Sequence, residues 1–233
     1  MEVDYSHIKV IGFDADDTLW VNETYFRETE HEFARLLAAY ETENTIDQEL
    51  FKTEMKNLEL YGYGIKGFIL SMVECAIALS NGKIPVATLS GILELGKAMM
   101  EKPVELLEGI EEVLKYLNEK YRLFLLTKGD LLEQERKLKK SGLSAYFHHI
   151  EVLSDKKEAN YRHLLEHLEV DVTEFLMVGN SLKSDVLPIV NIGAQAIHVP
   201  FHTTWSHEIV GDEEKNGKHY KTLASVKEIL NYL

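Results

Sequence analysis

The chain has 233 residues with 45% apolar content, enough for a buried core and long enough for one large domain or one domain carrying an insertion. A formal charge of -14 argues against polyanionic partners, because nucleic-acid binding needs clustered Lys and Arg, and it leaves small phosphorylated molecules open. No apolar run reaches the ~18 residues of a bilayer span, Met1-Glu2-Val3-Asp4 lacks the basic flank of a signal peptide, and the single cysteine, Cys75, cannot form an internal disulfide. A cytoplasmic protein with no membrane and no nucleic-acid partner is therefore expected, with monomer and homodimer both open.

In chain order, Val10, Ile11 and Phe13 form a short β-branched and aromatic run that reads as a buried strand, with Gly12 letting another backbone approach. From Glu23 to about Glu101 the pattern turns helical. Phe26, Phe33, Leu36, Leu37 and Tyr40 recur at helical spacing. Thr45-Ile46-Asp47-Gln48 opens a second helix, and Tyr61-Gly62-Tyr63-Gly64 breaks the pattern. Phe68, Ile69, Met72, Val73, Ala76 and Leu79 make a third helix with Cys75 as a small core residue. Pro85 falls in the first turn of a fourth, through Leu89, Ile92, Leu93, Leu95 and Met99. From Pro103 strands and helices alternate: Glu108-Gly109-Ile110 opens a helix through Leu117, then come a strand Arg122 to Thr127, a helix Leu131 to Ser141, a strand His149 to Leu153 and a helix from about Glu158 to Leu168. A strand Glu174 to Gly179, a helix from about Ser184 to Asn191, a strand Ala194 to Val199 and a closing helix Ser225 to Tyr232 follow, with 201–220 read as loop. Such alternation means an α/β fold with a parallel sheet and right-handed crossovers, interrupted by a helical insertion: a core of 1–20 and 103–233, and a cap of 21–102.

Chemistry gathers at the strand ends. Directly after the first strand come Asp14, Asp16 and Asp17, three carboxylates within four residues, with Thr18 next. Open α/β sheets bind ligands at the carboxyl ends of their strands. Carboxylates crowded into a dry crevice need a cation, and Mg2+, which takes hard oxygen ligands and travels with phosphorylated substrates, suits them. A turn in which Asp16 or Asp17 caps a helix accounts for the same residues without chemistry. Thr127-Lys128-Gly129 after the second strand offers a hydroxyl and backbone N–H groups to a phosphate, or a helix cap. Lys156 and Lys157 follow the third strand, and either cation would lower the repulsion between a nucleophilic carboxylate and a phosphoryl group. Asn180 and Asp185 follow the fourth.

Asp-x-Asp-x-Thr after a hydrophobic strand, then Thr127, a lysine and Asp185, each after its own strand, resembles the four motifs of the haloacid dehalogenase superfamily. The resemblance covers roughly residues 6–20 and 103–200. It implies a Rossmann-like parallel sheet of order 5-4-1-2-3 with the helical insertion as a cap between motifs one and two. It implies Asp14 as nucleophile, Asp16 as general acid/base and a motif lysine, for which counting back from Tyr161 favours Lys156 over Lys157. Thr18, Thr127, Lys128 and Gly129 become substrate contacts, with Asn22, Tyr25 and Phe26 as further contacts or as cap core. Metal would be held by Asp14, the Asp16 carbonyl, Asn180 and Asp185; because Asn180 stands where the pattern has its first acid, Asp185 would carry the charge, with Asn180 as ligand or water anchor. The activity implied is magnesium-dependent hydrolysis of a small phosphorylated metabolite through an aspartyl-phosphate. The same two aspartates serve phosphosugar mutases. From other classes, a phosphoacceptor receiver domain also groups acids, Thr and Lys, and a non-catalytic descendant would accommodate Asn180.

Overall fold

Residues 4–233 are described by the structure, a computed structural model. Met1-Glu2-Val3, which the signal-peptide argument used, lie outside the described residues. The described residues divide into two compact units, one of residues 4–23, 104–128 and 136–233, the other of 24–103 and 129–135.

The first unit is built on a six-stranded sheet: β1 (Val10–Phe13), β2 (Arg122–Lys128), β3 (His149–Leu153), β4 (Phe175–Gly179), β5 (Gln195–His198) and β6 (Lys221–Thr222). The order is β3-β2-β1-β4-β5-β6, and every neighbouring pair is parallel. The expected five-strand order is therefore present, extended by a two-residue strand within a stretch that carries no strand pattern of its own. β1 sits at the centre and is buried along its whole length, which is why its sequence is apolar without alternation. Its residues divide between two cores. Ile11 and Phe13 join Leu123, Leu125, Leu176, Val178 and Ile197 on one face, against α5 (Ile110–Asn118) and the C-terminal turn. Val10 joins Phe124, Leu126, Phe175, Met177 and Ala196 on the other, against α7 (Glu158–His167) and α8 (Leu187–Ile192).

Three local expectations differ from what is found. Gly12 makes room for side chains rather than backbone: a Cβ there would lie 2.6 Å from Phe175 Cζ and 3.0 Å from Leu126 Cδ1. The helix expected from Ser184 starts as a wide π turn, Leu182–Val186, and becomes α-helical only at Leu187. The closing helix is a 3-10 segment, Val226–Asn231, capped by the Ser225 hydroxyl; tight i→i+3 turns suit so short a piece.

The second unit is helical: α1 (Glu23–Leu37), α2 (Glu43–Tyr61), α3 (Ile65–Leu79) and α4 (Val86–Glu101). Its core of Phe33, Leu37, Ile46, Leu50, Phe68, Met72 and Ile92 comes from all four helices. Cys75 lies in this core, where burial pushes its thiol up to about 12. Phe26 packs on Phe68, ring centroids 5.1 Å apart, and is a core residue of this unit. Residues 129–135 group here and not with the sheet residues that flank them, which differs from the expected division. Their side chains explain it: Lys66 Nζ donates to both oxygens of Asp130, at 2.9 Å each, and the Ile65 N–H donates to Glu133 Oε2 at 3.0 Å.

Candidate active site

Because β1, β2 and β4 are adjacent and parallel, their carboxyl ends open on the same edge, and the residues that follow them meet there. Asp14 comes first after β1; its N–H donates to the Val178 carbonyl at 2.9 Å, so the ladder with β4 continues into the site. The Asp14 carboxylate is buried and held at both oxygens: Oδ1 accepts from Lys156 Nζ at 2.5 Å and Oδ2 from the Thr18 hydroxyl at 3.0 Å. Thr18 Oγ1 also lies 3.3 Å from Asn180 Oδ1 and accepts from the Asn180 N–H at 3.0 Å. A hydroxyl has one proton, and the nearer, ionisable Asp14 oxygen takes it.

Lys156 reaches a second acid. Its Nζ lies 2.7 Å from Asp185 Oδ1, and the side chains of Lys156 and Asp185 are each 1% exposed. Of the two adjacent lysines, Lys156 therefore meets Asp14, while Lys157 is largely exposed and pairs with Asp155 at 2.7 Å. The other Asp185 oxygen accepts from the Ser181 N–H at 3.0 Å. Gly179 is what admits this carboxylate: a Cβ at 179 would fall 2.3 Å from Asp185 Oδ2 and 2.4 Å from its Cγ. Tyr161 completes the surround by donating to the Ser184 carbonyl at 3.0 Å.

The charge balance of this cluster bears on a metal. One ammonium serves two buried carboxylates. Burial and the Asp185 charge push Asp14 up to about 7 against the pull of Lys156. Burial works to lower Lys156, but Asp14 and Asp185 overcome it and hold it above its ordinary range. The site is thus short of positive charge, and Thr18 brings two oxygen groups together in it, the Asp14 carboxylate and the Asn180 amide oxygen. That donor chemistry fits a hard divalent cation. Among the described residues no group of three or more His, Cys, Asp or Glu side chains is arranged to hold a metal ion.

Asp16 and Asp17 bond to different partners. Asp16 Oδ1 accepts from Trp20 Nε1 and from Lys137 Nζ, both at 2.7 Å. Asp17 adopts φ 61° and caps α1, its carboxylate accepting from the Asn22 N–H at 2.8 Å and the Glu23 N–H at 2.9 Å. The capping account of this acidic turn is therefore realised, by the one acid of the three that the superfamily signature does not use.

At the end of β2, Thr127 is fully buried with its hydroxyl 3.2 Å from the Lys128 carbonyl, and Gly129 takes φ 132°, a conformation that favours glycine. Lys128 is engaged elsewhere: its Nζ donates to Ser184 Oγ at 2.8 Å and to Glu208 Oε1 at 2.7 Å. Of the residues after motif one, Asn22 accepts from Lys137 Nζ at 3.1 Å, and the Tyr25 ring carries Lys102 Nζ 4.8 Å from its centroid.

Two residues here have no counterpart in the sequence reading, Lys137 and Glu208. Glu208 lies in the stretch read as loop, accepts from Lys128 and from both Ser181 and Ser184, and so ties the β2 end to the turn after β4. Burial works to raise its carboxyl, but the Lys128 ammonium and the two serine hydroxyls hold it at about 2. No local pattern marks either residue.

A family model described as haloacid dehalogenase-like hydrolase matches residues 8–193, most of the chain. The chain belongs to the haloacid dehalogenase-like hydrolases. Among solved structures, a haloacid dehalogenase-like family hydrolase from Xanthomonas campestris superposes with a TM-score of 0.85 at 36% identity, covering 95% of this chain and 88% of that one. The HAD hydrolase YfnB of Bacillus subtilis, solved bound to magnesium, shares the fold at a TM-score of 0.62 and 16% identity over 96% of this chain and 97% of that one. Among curated relatives, the N-acylneuraminate-9-phosphatase of Rattus norvegicus is 27% identical over 202 residues, 82% of each chain. No helix among the described residues of this hydrolase is long and apolar enough to cross a membrane.

Proposed function

We propose that this hydrolase is a magnesium-dependent phosphatase acting on a small phosphomonoester through an aspartyl-phosphate. The observation that carries the reading is the Asp14 carboxylate, buried at the end of the central strand, with an ammonium on one oxygen and a hydroxyl on the other. A nucleophile that must approach a phosphate dianion needs such fixed orientation and nearby positive charge. The rat relative, named N-acylneuraminate-9-phosphatase, supports the reaction class.

In this reading an Asp14 oxygen attacks phosphorus as the bond to the leaving oxygen breaks. Asp16 gives its proton to the departing alkoxide, then takes one from the water that hydrolyses the aspartyl-phosphate, returning Asp14 and releasing inorganic phosphate. Lys156 offsets the charge that gathers on the transferring group. Thr18, Thr127 and the N–H groups around Gly129 orient phosphate oxygens, and Lys128 joins them only when released from Glu208. Asp14, the Asp16 carbonyl and Asn180 would hold magnesium, with Asp185 contributing charge while it anchors Lys156. When bound, the cation supplies charge neutralisation for the phosphoryl oxygens. Residues 1–20 and 103–233 are assigned as the catalytic core and 21–102 as the cap domain.

The test is phosphate release across a panel of phosphorylated metabolites with magnesium, run beside Asp14→Asn. Release by the wild type and a loss of at least about 10³-fold in the variant are expected, since nucleophile and charge are removed together. A fully active variant, or a wild type that releases no phosphate from any panel member, overturns the reading.

A further inference from the structure

Lys137 lies on α6 (Leu131–Ser141), outside the four strand-end motifs and 121 residues from Asp16 in the chain. Its ammonium nevertheless ends on Asp16 Oδ1 at 2.7 Å, and both side chains are largely buried, 16% exposed for Lys137 and 22% for Asp16. A second donor, the indole N–H of Trp20, reaches the same oxygen at 2.7 Å. Trp20 is fully buried and its main chain is pinned by the Asp17 N–H, so the indole cannot follow a moving carboxylate. Two donors converging on one oxygen from different elements fix the rotation of the carboxylate about its last torsion.

Lys137 is itself held. Its Nζ donates to Asn22 Oδ1 at 3.1 Å, and the Asn22 N–H is bonded to Asp17 Oδ1 at 2.8 Å. Asp17, Asn22, Lys137 and Asp16 thus form a chain in which a helix cap fixes an amide, the amide fixes an ammonium and the ammonium fixes the acid. Immobilising a lysine costs side-chain entropy.

We infer that Lys137 is a positioning residue that, with Trp20 and Asn22, aims the Asp16 carboxyl at the leaving oxygen. The inference rests on the hydrolase reading above, in which Asp16 exchanges the proton. Its signature is a dependence on the leaving group. An alkoxide needs the Asp16 proton as its bond to phosphorus breaks. A p-nitrophenolate ion is stable and departs without one.

The experiment measures kcat and KM for an alkyl monophosphate and for p-nitrophenyl phosphate with magnesium, in the wild type, Lys137→Met, Lys137→Arg, Asn22→Ala and Asp16→Asn. Lys137→Met is expected to lower kcat on the alkyl ester by about 10²-fold, the cost of a misplaced catalytic group, with a much smaller fall on the aryl ester and KM little changed on both. Lys137→Arg, which keeps a cationic donor, recovers most of the alkyl rate. Asn22→Ala leaves Lys137 intact but removes one of its contacts, shows the same split more weakly, and carries the test should Lys137→Met fail to fold. Equal losses on the two esters, or none, overturn the role of Lys137. If Asp16→Asn shows the split while Lys137→Met and Asn22→Ala do not, the hydrolase reading stands and this inference alone falls. A wild type inactive on both esters and on the metabolite panel removes both.

Discussion

The two units of the molecule differ in how deeply they bury their most enclosed ion pairs. In the helical unit three ion pairs sit on the surface one turn apart: Glu32 with Arg35, Glu49 with Lys52 and Glu94 with Lys97, all with both partners more than 40% exposed. In the sheet unit Asp14, Lys156 and Asp185 are buried, and Lys128 with Glu208 nearly so. Exposed pairs contribute little because water competes for both partners. Buried ones are expensive to assemble and more expensive to break, since removal of one partner strands the other. The contrast teaches where this chain accepts a cost in stability: at the carboxyl ends of β1, β3 and β4, where the chemistry is proposed to occur.

The largest test of that contrast is Lys156→Met. It leaves two buried carboxylates facing one another, and a loss of about 3–5 kcal/mol is expected, a fall on the order of 10 °C in the thermal midpoint. Asp185→Asn added to Lys156→Met should recover part of it. A stability unchanged by Lys156→Met would break the comparison outright.

Next comes Glu208→Gln. The folded carboxyl sits at about 2 against an ordinary 4.5, so its ionisation favours the folded state above the higher value, and that contribution disappears as pH falls toward the lower one. The wild type should exceed the variant by on the order of 3 kcal/mol near neutrality. The gap should hold from pH 8 to about 5 and close between about 4.5 and 2, read from thermal melts across pH. A gap independent of pH would mean that packing, not charge, holds the 201–210 segment.

The smallest expected effect is Lys52→Met in the helical unit, a shift of less than about 2 °C in the same melt. A shift comparable to that of Lys156→Met would show that the surface pairs matter as much as the buried ones.

What the sequence makes legible follows the range of the forces involved. β1 and β3 are readable because strands buried between helices, or ending at a break in polarity, carry their signal within five or six consecutive residues. The order of acids, hydroxyl and lysine is readable because each follows its own strand. Lys137 and Glu208 are not. Each owes its partner to the packing of segments far apart in the chain, and a lysine on a helix otherwise full of charge looks like a solvated face. β6 escapes notice because two residues beside β5 are too few for any periodicity. The acidic turn is the instructive case, since local rules and chemistry both claim it: Asp17 follows the capping rule, while Asp14 and Asp16 are drawn into tertiary partnerships that the rule does not foresee.

The hydrogen atom that Gly179 carries in place of a side chain has a bearing on descent. Because the Asp185 carboxylate occupies the space that any β-carbon at 179 would need, the two positions cannot vary independently. A lineage that placed even alanine at 179 would first have to surrender the acid at 185, and with it one of the two acids that Lys156 bridges. Homologues of this chain that keep the aspartate should therefore keep the glycine as well.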